Sequence, residues 1–120
     1  MTVSRTVLAG VVAAAATFPA FAQKAEPVQT RAFGGIDFEI AGNRVTGTYP
    51  KFQGRLSGTV IERGVVTGIW TQPRSQQPCD TQRNGTNAWG TFIITNWGAP
   101  TMRGSWGYCG DKPDFDIGFQ

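Results

Sequence analysis

The sequence predicts an all-β domain, a small antiparallel up-and-down barrel of about seven strands, with a two-sheet sandwich as the alternative. Three observations lead there. Charged residues make up 16% of the chain, against about 25% in ordinary soluble domains, while glycine is about twice its usual share. No segment carries a convincing helical period. A five-residue frame recurs four times, as Val45-x-Gly47-x-Tyr49, Leu56-x-Gly58-x-Val60, Val66-x-Gly68-x-Trp70 and Met102-x-Gly104-x-Trp106. Side chains alternate faces along a strand, so each frame shows large, Gly, large on one face and mostly polar residues on the other.

The first segment reads as an address. Arg5 precedes the apolar run Val7 to Ala16, and Ala20-Phe21-Ala22 offers a small-x-small cleavage site. That pattern marks Met1 to Ala22 as a secretory signal peptide, too short and Ala-rich for a membrane span. Residues 23–31 form a polar leader, ordered only if another element ties it down. Residues 32–120 are then a single β-domain, exported to the periplasm or the extracellular medium.

Strands are expected near 32–40, 43–49, 54–61, 64–72, 87–96, 101–108 and 114–119. A glycine inside a strand weakens it unless space is needed there. With Pro50-Lys-Phe-Gln53 as a four-residue loop, Tyr49 pairs with Gly54, Gly47 with Leu56 and Val45 with Gly58. Each large residue then faces a notch. Glu62-Arg63-Gly64 suits a three-residue hairpin with Gly64 left-handed. Carrying the large-against-glycine rule onward sets Gly90, Phe92 and Ile94 against Trp106, Gly104 and Met102. Ile36, Phe38 and Ile40 take the inner face of the first strand, and Phe115, Ile117 and Phe119 that of the last. The acids Asp37, Glu39, Asp114 and Asp116 are left outside.

Composition narrows the chemistry. The chain has no His and two Cys, which excludes Ser-His-Asp triads, Cys-His dyads, His-ligated zinc, Cys₄ metal sites and iron–sulfur clusters. The formal charge of +3, without a basic stripe, is no nucleic-acid footprint. No metal or cofactor is implied. In an exported chain, Cys79 and Cys109 are the one intramolecular pair available, and a disulfide between them is expected.

The longest irregular stretch, Pro73 to Asn87, exceeds the usual hairpin loop, and long loops in compact domains are often functional. Arg74, Gln82, Arg83, Asn84 and Asn87 supply amides and guanidinium groups, with Trp89 next to them and Trp97 in a later turn. If Trp89 and Trp97 are exposed, these residues suit a polar ligand. Hydrogen bonds would meet sugar hydroxyls, and a flat ring would meet the pyranose face. The expected function is therefore a non-enzymatic binding module for a polar ligand, such as a glycan or cell-envelope polysaccharide. The alternative is a protein-binding module, since Arg and Trp are also enriched at interface hot spots.

The Gly-x-Tyr/Trp strand ends and the single disulfide resemble avidin-type barrels. The resemblance covers the short frames alone and supplies no ligand-contacting residue. Small periplasmic inhibitors of lysozyme share the size, export and β-architecture, and they give the protein-binding alternative its form: an inhibitor of an exported hydrolase.

Overall fold

The computed structural model describes residues 23–24 and 27–120; the expected signal peptide lies outside the described residues. The strands are β1 (Gln23–Lys24), β2 (Val28–Thr30), β3 (Gly34–Ala41), β4 (Arg44–Tyr49), β5 (Gly54–Glu62), β6 (Val65–Gln72), β7 (Ala88–Thr95), β8 (Arg103–Tyr108) and β9 (Phe115–Asp116). A 3₁₀ turn, Pro50–Phe52, joins β4 to β5 and ends at Gln53 in the left-handed region. All strands of the described residues lie in one antiparallel sheet in the order β9-β8-β7-β6-β5-β4-β3-β1, with β2 also pairing β3. From β3 to β9, neighbours in the sheet are neighbours in the chain, as an up-and-down meander requires, and the single sheet of the described residues is not a sandwich. The sheet curls into a half-barrel, and its edges meet at one place. There Arg31 N–H donates to Gly118 O, Ala32 N–H to Ile117 O and Gln120 N–H to Gln29 O, each at 3.0 Å.

The glycine notches set the curvature. Tyr49 pairs with Gly54, Gly47 with Leu56 and Val45 with Gly58, the register expected from the frames. Tyr49, Leu56 and Val45 are buried behind them, as are Ile36, Phe38, Trp70, Phe92 and Ile94. On the next pair, Gly58 faces Gly68. A Cβ at Gly68 would strike the Ser57 carbonyl and the Gly58 Cα. The backbones of β5 and β6 close on each other there because neither strand carries a side chain.

Several expectations need correction. The β5–β6 turn is the pair Arg63-Gly64 rather than three residues, with a register irregularity between Val60 and Glu62 absorbing the difference. Gly64 is left-handed, at φ +73°. The β7–β8 register is displaced by two residues, with Gly90 opposite Tyr108, Phe92 opposite Trp106 and Ile94 opposite Gly104. The cause is competition for a notch. Trp70 of β6 already pairs with Gly90, and its indole occupies the space where a Gly90 Cβ would go. Phe115, expected inside, is 50% exposed. It pairs with Trp106 at the rim, while Ile117, two residues on, fills the interior. The leader is tied down by pairing of β1 and β2 with β3. Thr30 is buried there; its hydroxyl donates to Gly34 O and accepts from Phe33 N–H, both at 2.9 Å.

Candidate functional site

The loop from Pro73 to Asn87 folds inward on itself. The Cys79–Cys109 disulfide, with Cα atoms 5.5 Å apart, ties it to the segment after β8. Asn87 Nδ2 donates to Cys79 O at 2.8 Å and to Thr81 O at 3.3 Å, and Gln82 Nε2 donates to Asn87 Oδ1 at 3.3 Å. Asn84 and Gly85 both have positive φ. Arg83 and Thr86 exchange backbone hydrogen bonds around them at 2.9 and 3.1 Å, the signature of a type I′ turn. Trp89 points outward from the sheet but is only 5% exposed. Its Nε1–H donates to Thr81 O at 2.8 Å, and the Arg83 guanidinium lies 4.7 Å over its ring.

An exposed Trp89 is therefore corrected: the loop that was to present it covers it. Asn84, Asn87 and Gln82 make the bonds or the turn that hold this cover in place. Trp97 is half-buried at the opposite end of the barrel, edge-on to Phe38 with centroids 5.0 Å apart. Of the seven residues singled out, the structure brings Gln82, Arg83, Asn84, Asn87 and Trp89 together and leaves Trp97 remote. Arg74 stands elsewhere, at a cavity.

That cavity, about 380 Å³, opens at the barrel end where the long loop leaves β6. Its walls are Phe33, Phe52, Trp70, Trp106 and Tyr108, and its lip is Gln72, Arg74, Ser75 and Gln76. Trp106 is the hub: its ring lies 5.9 Å from Phe33, 5.8 Å from Trp70, 5.0 Å from Tyr108 and 4.9 Å from Phe115. Trp70 is fixed by donating Nε1–H to Gly107 O at 2.9 Å. The lip is fixed from below. The buried Tyr49 hydroxyl donates to Gln72 Oε1 at 3.0 Å, and Gln72 Nε2 donates to Arg74 O at 2.9 Å. Burial pushes the Tyr49 phenol well above its usual pKa, so it stays a hydrogen-bond donor across the physiological range.

Sequence reading assigned Trp70 and Trp106 to the core and missed this mouth. Strand parity was the available signal. In a meander, the ends of β4, β6 and β8 lie on the same side as the long loop, and those ends carry Tyr49, Trp70, Trp106 and Tyr108.

Asp114 and Asp116 offer no rival site. A groove of about 720 Å³ outside β8 includes Arg31, Arg103, Asp114 and Asp116. Arg31 and Asp116 form an exposed ion pair at 3.0 Å, a type worth little in water. Among the described residues, no group of three or more His, Cys, Asp or Glu could hold a metal ion, and no helix is long and apolar enough to cross a membrane. The chain matches no known family model, and no curated protein or solved structure was found to be similar to it.

Proposed function

We propose that the protein is an exported, non-catalytic binding module that receives a polar ring ligand, a glycan of the cell envelope, in the aromatic mouth of the barrel. The observation that carries this is the pairing of aromatic walls with a polar lip around one cavity. Its volume falls within the common range for small-ligand sites, roughly 300–1,000 Å³. The flat faces of Trp106 and Tyr108 suit the C–H face of a sugar ring, and Arg74, Ser75 and Gln76 suit its hydroxyls. The long loop thus contributes through its first residues, while residues 82–89 hold it in shape. Among the described residues no carboxylate lines the mouth, Asp80 and Asp111 included, which supports binding over glycosidic chemistry, where two carboxyl groups are usual.

A glycan array followed by tryptophan-fluorescence titration tests this. Arg74→Ala and Gln76→Ala are exposed changes that leave the core intact. Each is expected to weaken binding by roughly fivefold to tenfold, the loss of a typical hydrogen bond. Arg83→Ala is expected to leave affinity unchanged. Loss on Arg83→Ala with none on the other two would move the site back to the folded-in loop.

Phe52 favours a second reading. It is 43% exposed at the rim, with the Lys51 ammonium 5.2 Å over its ring. An exposed aromatic beside Lys51 and Arg74 is hot-spot chemistry for a protein partner, such as an exported lysozyme-type hydrolase. A salt-sensitive pull-down lost on Phe52→Ala would favour that partner.

A further inference from the structure

The mouth carries charge of one sign. Among the described residues, Arg74 is the one charged residue lining the cavity. The adjoining cleft, lined by Pro50, Lys51, Phe52, Gln53, Pro73 and Arg74, adds a second cation and no acid. Arg74 has no ion-pair partner among the described residues, where the one salt bridge belongs to Arg31. Nor is it free to wander at its base. Its carbonyl is held by Gln72, which is held by the fully buried Tyr49. Lys51 is also seated: its Cδ lies 3.3 Å from where a Gly34 Cβ would stand, so its stem packs on that backbone.

Two cations beside an aromatic cavity, with no carboxylate among the described residues that line either cleft, complement an anionic ligand. We infer, building on the reading of the mouth as a sugar site, that the ligand is an acidic sugar. Its ring face lies on Trp106, with Tyr108 standing edge-on beside it, and its carboxylate meets the Arg74 guanidinium, with Lys51 adding to the field. Arginine suits this task because its planar fork can hold a carboxylate through two parallel hydrogen bonds, each stronger for being charge-assisted. A neutral sugar gains stacking and hydrogen bonds but brings no charge to meet either cation.

Galacturonate oligosaccharides and their methyl esters test this, because esterification removes the charge and keeps the ring. The full mature chain is titrated with each, with tryptophan fluorescence as readout. The acid form is expected to bind at least about tenfold tighter than the ester at low salt. That advantage should shrink as salt shortens the screening length to about 8 Å at physiological strength. Arg74→Gln should abolish the advantage by weakening the acid form far more than the ester, and Lys51→Gln should reduce it. Cyclohexanecarboxylate, an anion with an apolar ring and no hydroxyls, separates the sugar from the charge: tighter binding than the acid sugar would overturn the sugar and keep the anion. Equal binding of acid and ester overturns the inference but leaves the mouth as a sugar site. Binding of neither, with no other glycan retained on the array, overturns both.

Discussion

Gly68→Ala is expected to cost about 3 kcal/mol or more, at or beyond the upper end of ordinary overpacking. The added methyl would meet backbone, the Ser57 carbonyl and Gly58 Cα of β5. Relief requires parting β5 from β6 in the middle of the sheet. Gly104→Ala is the comparison. Its methyl would meet the Ile117 Cδ1 at 2.6 Å, the tip of a side chain that can turn away, so about 1 kcal/mol is expected. Urea unfolding of both variants checks the ordering. If Gly68→Ala unfolds like the parent, β5 and β6 do not approach through their glycines and the inner face is wrongly assigned.

Replacing Cys79 and Cys109 by Ala together is expected to cost about 3–4 kcal/mol from released loop entropy, a fall of roughly 15 °C in Tm for a domain of this size. The disulfide joins residues 30 apart and anchors the cover over Trp89, so the loss should be accompanied by a red-shifted Trp emission. Thermal melts with and without reductant, read by fluorescence, test both parts. Equal melting temperatures would show that the hydrogen bonds of Asn87 and Trp89 hold the loop unaided.

The fold was legible because its signal repeats. Each large-Gly-large frame marks a strand and its inner face, and the β4–β5 register follows from them. The β7–β8 register was not legible. Gly90 offers one notch to two neighbours, and only the packed structure shows that Trp70 takes it. For the site, residue types misled. Trp89 beside amides and Arg looks like a ligand surface, yet the same groups make a self-contained cover when their bonds turn inward. The mouth was hidden for the opposite reason. Trp106 and Tyr108 sit on the apolar face, and alternation cannot tell a residue in the core from one at the rim of an open barrel end.

The four tryptophans give the most direct measurement: the indole N–H resonances of ¹⁵N-labelled protein, titrated with the galacturonate oligosaccharide. Trp106 lines the mouth, Trp89 lies under the loop and Trp97 stands at the far end. The expected result is a saturable shift of the Trp106 resonance, with that of Trp70 in the same wall free to follow and Trp89 and Trp97 unmoved. A shift of Trp89 or Trp97 with Trp106 unmoved would contradict the aromatic mouth as the binding site.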